Sequence, residues 1–151
     1  MQNRCTRLAC VITRRKQVSG QAEAEYAADV ALAAQFEDLL AKARAAEQAF
    51  LGAQARALPV SEVYPLAKEL DAALTDAMRA AYASERAEIG PRGYEDRIYR
   101  RKAKARSAVH AWADEAERLL TMRETHRLTG IPPAPRTDLP ADAGIVTYVQ
   151  A

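Results

Sequence analysis

The sequence predicts an all-α fold: an antiparallel bundle of three long helices with a short arm before it and an extended tail after it. Alanine is abundant, whereas aromatic residues make up only 6% of the chain, a composition typical of helices that pack closely through small side chains. Apolar residues recur at helical spacing in three segments separated by breaks at Pro59 and at Gly90–Pro91. Because these connections are short, consecutive helices are expected to be antiparallel neighbours. We assign residues 1–19 to a basic arm, 20–128 to the bundle and 129–151 to a proline-rich tail.

The first helix is predicted to begin after Ser19, whose side chain suits an N-cap, and to continue to about Ala57. Gly52 weakens this helix and Pro59 ends it. Its apolar seam recurs at nearly heptad spacing, which is typical of coiled-coil packing. The seam comprises Tyr26, Val30, Ala33, Phe36, Leu40, Ala43 and Phe50.

The second helix is predicted to be capped by Ser61, to hold Pro65 in its first turn and to stop before Gly90. The third is predicted to run unbroken from Tyr94 to about Arg127. Its apolar stripe comprises Tyr94, Ile98, Ala105, Val109, Trp112, Ala116, Leu119 and Leu120. The side chains predicted to be buried in the bundle are Phe36, Leu40, Phe50, Leu70, Leu74, Val109, Trp112 and Leu119.

The two ends of the chain are predicted to make contacts outside the bundle. Residues 8–13 (LACVIT) fit either a short strand or a flexible arm. Residues 145–149 (IVTYV) are a clear strand signal that can pair with the N-terminal run or with another subunit. We therefore predict a homo-oligomer and a protein partner for residues 131–151. Since no segment reaches the ~20 apolar residues of a membrane span and no secretory signal is recognised, the predicted location is cytoplasmic.

Charge is segregated along the chain. Residues 1–20 carry five cations and no acid, residues 21–90 are acidic, and residues 91–107 are basic again. In an antiparallel bundle the two basic segments meet at one end and form a cationic surface that suits phosphate, with Tyr94 and Tyr99 placed to contact sugar or base. The predicted nucleic-acid-binding residues are Arg14, Arg15, Lys16, Arg97, Arg100, Arg101 and Lys104.

The stretch from Lys42 to Tyr82 combines Ala46, Glu47 and Leu51 on one predicted helix with Leu58, Pro59, Glu62, Val63 and Leu70 at and after a break. In these residues it resembles the central part of lambda-type phage terminase small subunits. In both, an Ala/Arg/Glu-rich helix meets a short break and then a Leu/Ala-rich helix. The resemblance implies that these helices mediate self-association. No counterpart of the family's N-terminal DNA-reading domain is expected, because residues 1–20 are too short for it.

Catalytic signatures are weak, and we predict that the protein is not an enzyme. Ser107, His110 and Asp114 share a helix face by spacing, but that face lies opposite the apolar stripe and no oxyanion hole is recognisable. Cys5 and Cys10 are the only cysteines and fit reduced thiols rather than a metal site. No cofactor or metal is predicted.

Two functions remain open from the sequence. The first is a nucleic-acid-binding helical oligomer, with phage DNA packaging as the setting that the resemblance implies. The alternative is a helical adaptor or virion-type structural protein, whose terminal arms contact neighbouring subunits and whose basic surface meets an acidic protein. For the basic surface itself, a solvated helix face without a partner is the third interpretation.

Overall fold

The computed structural model describes residues 18–134, and this part of the chain is all-α, as predicted. A π-helical turn, His126–Gly130, follows the last α-helix and is called the π-turn below. Within residues 18–134 no helix is both long and apolar enough to cross a membrane. The α-helices are α1 (Gly20–Ala33), α2 (Phe36–Ala55), α3 (Val60–Ile89), α4 (Arg92–Glu95), α5 (Arg97–Ala103) and α6 (Ser107–Thr125).

The first predicted helix is capped as expected but is not continuous. The Ser19 hydroxyl accepts a hydrogen bond from the amide of Ala22, which satisfies one free donor of the first turn. The helix is then interrupted at Ala34 and Gln35, where the Gln35 amide bonds to the carbonyl of Leu32 three residues back. This break separates α1 from α2 and starts α2 at Phe36, which is buried and lies edge-on against Trp112 of α6.

The second predicted helix begins earlier than expected. Pro59 occupies the N-cap position of α3, so Ser61 lies inside the helix and its side chain makes no capping bond. Pro65 consequently lies beyond the first turn, where its missing amide hydrogen removes a helical bond to Ser61. Ala57, which precedes this junction, has a φ of 51°, and the Leu58 amide reaches back to the carbonyl of Ala53. The sharp turn between α2 and α3 depends on this left-handed residue.

The third predicted helix is divided into three, which contradicts the continuous stripe expected from Tyr94 onward. Asp96 has extended backbone angles and caps α5, its carboxylate accepting from the Tyr99 amide at 2.9 Å. A second break at residues 104–106 precedes α6. Each break changes the helical phase, so Ile98 is 69% exposed and Ala105 is also exposed. The inward positions of α5 are instead Tyr99 and Ala103, which pack with Ile89 and Val109.

Helix α3 lies at the centre of the packing and contacts α1, α2 and α6. Its C-terminal part meets α1 through Asp29 and Arg86, and its N-terminal part meets the π-turn through Ala67 and His126. Every side chain predicted to be buried is buried except Trp112, which packs against the core while remaining partly exposed. Ile131 packs against the same core, but the predicted strand at residues 145–149 and residues 1–17 lie outside the described residues.

Trp112, the only tryptophan, is expected to be a moderate contributor to stability. Its ring meets that of Phe36 edge-on, with centroids 5.0 Å apart, but it is only partly buried. We expect Trp112→Ala to lower the free energy of unfolding by about 2–3 kcal/mol, below the cost of deleting a fully buried ring. Urea denaturation followed by circular dichroism measures this difference. A native fluorescence maximum typical of fully hydrated tryptophan would contradict the packing.

Candidate nucleic-acid interface

Helix α5 presents a dense cationic surface to solvent. Four of its seven residues are Arg97, Arg100, Arg101 and Lys102, all of them exposed. None of these four side chains forms an ion pair within the part of the chain that the structure describes. Unpaired exposed cations keep their full capacity for an external anion, and we refer to these four residues as the α5 cationic surface.

The cations that flank this surface are already engaged. Arg92 forms an ion pair with Asp96 at 3.0 Å and lies over the ring of Tyr99. Arg106 donates to the carbonyl oxygens of Glu88 and Ile89, which are acceptors left free at the C-terminal end of α3. These two arginines hold α4, α5 and the end of α3 together. The basic segment therefore contains two groups of cations: structural cations, which bind groups of the protein, and available cations, which are exposed and form no ion pair among the described residues.

Lys104 belongs to the structural group. Its ammonium nitrogen lies 2.9 Å from Oε1 of Glu85, whose side chain is only 8% exposed. A carboxylate removed from water in this way needs a counter-charge, and Lys104 is the cation that the described residues place beside it. Of the residues predicted to bind nucleic acid, Arg97, Arg100 and Arg101 lie together on α5. Arg14, Arg15 and Lys16 lie outside the described residues.

Lys102 is the member of the surface that the sequence interpretation missed. The sequence prediction takes residues 94–127 as one continuous helix. Helical spacing in that helix places Lys104 on the same face as Arg97, Arg100 and Arg101. The available signal was Asp96, an aspartate followed by a short helical segment, which is a typical N-cap. In α5, Arg97 and Arg101 are one turn apart, as are Ile98 and Lys102, and these four side chains line one shallow concavity.

A partly buried polar triad fixes the position of α4 and thereby of α5. The Arg86 guanidinium donates two hydrogen bonds to Asp29, at 2.7 and 2.6 Å, and the Tyr94 hydroxyl donates to the same carboxylate. These contacts join α3, α1 and α4. The Tyr94 ring also packs edge-on against Tyr26, and the Ser19 amide donates to the Glu95 carboxylate.

The triad changes the acidity of its members. Burial raises the pKa of Asp29, but hydrogen bonds from Arg86 and Tyr94 and the Arg86 charge outweigh it, leaving the pKa below its usual value. The pKa of Tyr94 is raised by burial of its hydroxyl, by the hydrogen bond that it donates to Asp29 and by the negative charge of Asp29. The ionised carboxylate and the neutral phenol are therefore the stable pair near neutral pH.

Asp29→Asn is expected to weaken the triad and to change the response to acid. Because the folded pKa of Asp29 is depressed, its ionised form stabilises the fold above the unfolded pKa of ~3.9, and this contribution is lost as pH falls through the folded pKa. We expect the variant to lose about 1–2 kcal/mol at pH 7 and to show a smaller stability loss below pH ~4. Urea denaturation from pH 2.5 to 7 measures both effects. Because the pKa of Asp71 is also lowered in the folded protein, the variant should keep part of its sensitivity to acid. Identical acid dependence in the two proteins would contradict this role.

Lys104→Ala is expected to destabilise the protein by about 1–3 kcal/mol, because it leaves the Glu85 carboxylate buried without its counter-charge. Glu85→Gln in the same chain should recover most of that loss, since a neutral amide is cheaper to bury than an unpaired carboxylate. Urea denaturation of both single variants and the double variant measures the coupling between the two residues. Additive losses would show that the pair is not coupled.

Other polar groups singled out from the sequence have local structural contacts. His110 and Asp114 are exposed and share a hydrogen bond of 2.9 Å, which raises the pKa of His110, while no hydrogen bond joins Ser107 to His110. His126 is buried, contacts the Ala67 carbonyl at 2.8 Å and packs edge-on against Phe50. Among residues 18–134 no cluster of three or more His, Cys, Asp or Glu side chains suits a metal ion.

Comparison of the chain with protein-family models, with curated proteins and with solved structures gave no match. The stretch that resembles terminase small subunits, Lys42 to Tyr82, corresponds to most of α2, the Ala57 turn and the first three-quarters of α3. That resemblance stays a prediction from the residues themselves, and the functional argument depends on the geometry of α5.

Proposed function

We propose that this protein is a non-enzymatic helical protein that binds nucleic acid through the α5 cationic surface. The observation that carries the proposal is the separation of the basic segment: Arg92, Lys104 and Arg106 are bound to protein groups, whereas the four cations of α5 are exposed and unpaired among the described residues.

The chemistry of the surface suits phosphate. Three of its four members are arginines, whose planar guanidinium groups bind phosphate oxygens with two parallel hydrogen bonds. Arg97 and Arg101, one turn apart, can contact neighbouring phosphates of one strand, with Arg100 and Lys102 on either side of them. Such contacts fix position on the nucleic acid but carry no sequence information, so binding is expected to be weakly sequence-specific.

The segments next to the described residues extend the proposal. Ser19 lies beside Glu95, immediately before α5, and Lys16 precedes Ser19 by only three residues, a reach of about 11 Å. Arg14, Arg15 and Lys16 are therefore proposed to add to the α5 cationic surface.

Architecture and assembly form a second part of the proposal. We treat α1–α2, α3 and α6 as an antiparallel three-helix bundle that self-associates in the cytoplasm, with its terminal segments contacting neighbouring subunits. Self-association of the α2–α3 hairpin and a role in phage DNA packaging are what the terminase resemblance adds.

The test is binding of the full chain to a fluorescent 25-base-pair duplex, followed by anisotropy between ~50 and ~300 mM salt. If the four α5 cations contact phosphates, log affinity should fall linearly with log salt with a slope of about −3 to −4, and more steeply if residues 14–16 contribute. No binding at ~50 mM salt, where such contacts are hardly screened, would refute the proposal and favour the adaptor interpretation, with an acidic protein as partner.

A further inference from the structure

Ile98 is a large apolar side chain left in water at the centre of the α5 cationic surface. It is 69% exposed and lines a shallow concavity together with Arg97, Arg101 and Lys102. The other bulky apolar residue of α5, Tyr99, turns inward and packs beside Ile89 and Val109. Tyr99 and Ala103 thus fill the inward positions of α5, and Ile98 belongs to neither hydrophobic cluster of the described residues.

Its surroundings distinguish Ile98 from the other exposed apolar residues. Leu128 is more exposed, at 84%, but it lies on the π-turn next to Arg127, whose guanidinium is bound to Asp71. Among the described residues, Ile98 is the large exposed apolar side chain that is bordered by unpaired cations. A partner that fits this surface must offer an apolar slot with negative charge on either side of it.

Duplex DNA has this arrangement, because stacked bases lie between two rows of phosphates. Proteins that bend DNA use isoleucine, among other apolar residues, as a wedge that separates adjacent base pairs. A lipid surface fits less well, since interfacial helices need a broad apolar face and α5 exposes a single bulky apolar residue.

We propose that Ile98 inserts between adjacent base pairs of duplex DNA held by the α5 cationic surface and kinks the duplex at that step. This inference depends on the proposed function and adds a substrate preference to it. Because unstacking costs energy, a step that is already unstacked is bound more tightly than an intact one.

The experiment compares the full-length chain on two 25-base-pair duplexes of the same sequence, one intact and one with a single-nucleotide bulge at its centre. We expect the wild-type protein to bind the bulged duplex about ten times more tightly and to increase energy transfer between dyes at the ends of the intact duplex. Ile98→Ala should lose the preference and the bending while keeping the salt slope. Leu128→Ala is the matched control for loss of an exposed apolar side chain and should behave as wild type.

Arg101→Ala separates the two proposals. It should weaken binding to both duplexes equally and flatten the salt slope by about one unit, without changing the preference for the bulge. Unchanged preference and bending in Ile98→Ala would overturn the wedge while leaving the proposed function intact. Absence of DNA binding by the wild-type protein would overturn both, and Ile98-dependent binding to phosphatidylserine vesicles without DNA binding would assign the surface to lipid instead.

Discussion

Phe50→Ala is expected to lower the free energy of unfolding by about 3–5 kcal/mol. Phe50 is 4% exposed, belongs to the main core, and lies edge-on against the ring of His126 with centroids 5.1 Å apart. Removing the ring leaves a cavity where α2 meets the π-turn and takes away the aromatic contact that covers His126. Domains of this size are commonly stable by only about 5–15 kcal/mol, so the change removes a large part of the total.

Urea denaturation followed by circular dichroism measures this loss, and Leu51→Ala supplies the control. Leu51 is the next residue on α2 but is 53% exposed, so its truncation should change stability by less than about 1 kcal/mol. Equal losses for the two variants would mean that the packing of α2 against the π-turn is wrong. A Phe50→Ala variant whose free energy of unfolding is nearly unchanged would contradict the same packing.

Replacing Arg97, Arg100, Arg101 and Lys102 together by alanine is expected to lower the affinity for duplex DNA by about three to four orders of magnitude at ~0.1 M salt. This follows from the release of roughly 0.9 counterion per phosphate contact, which makes each contact worth nearly a factor of ten at that salt concentration. Stability should change little, because these side chains are exposed and unpaired among the described residues. Fluorescence anisotropy measures the affinity and urea denaturation the stability.

The core of this fold was predictable because it follows apolar periodicity. Phe36, Leu40 and Phe50 recur at helical spacing on α2, and Leu70 and Leu74 do so on α3, and all five are buried. Periodicity reports which face of a helix is buried wherever the helix is continuous. Composition and spacing therefore determined the all-α class and most of the core.

The helix breaks were predictable only in part. The break at Ala34 and Gln35 contains neither glycine nor proline, so no local signal marks it. Phe36, which follows the break, packs against Trp112 of α6, a tertiary contact that a local pattern does not reveal. The break at Asp96 did carry a local signal, the N-cap aspartate, but the apolar pattern of residues 94–120 was interpreted as one stripe. Ile98, which that stripe includes, is consequently 69% exposed.

The candidate site was also predictable only in part from the sequence. Clustering of Arg97, Arg100 and Arg101 was predictable because they lie within one turn and a half of a helix. The pairing of Lys104 with Glu85 was not, because the two residues lie 19 positions apart and meet only after α3 and α5 pack. Which cations are free depends on tertiary contacts, so charge patterning alone cannot separate binding residues from structural ones.

The central claim is that nucleic acid is bound by the α5 cationic surface and not by the charge of the protein as a whole. The most direct test compares the salt dependence of duplex binding in two variants that remove the same charge. One replaces Arg97, Arg100, Arg101 and Lys102 by alanine, and the other replaces four exposed cations elsewhere, namely Lys42, Arg56, Lys68 and Arg79. We predict that the slope of log affinity against log salt becomes shallower by about 3–4 units only in the α5 variant, while the control keeps the wild-type slope. An equal change in both variants, or a change confined to the control, would contradict the claim.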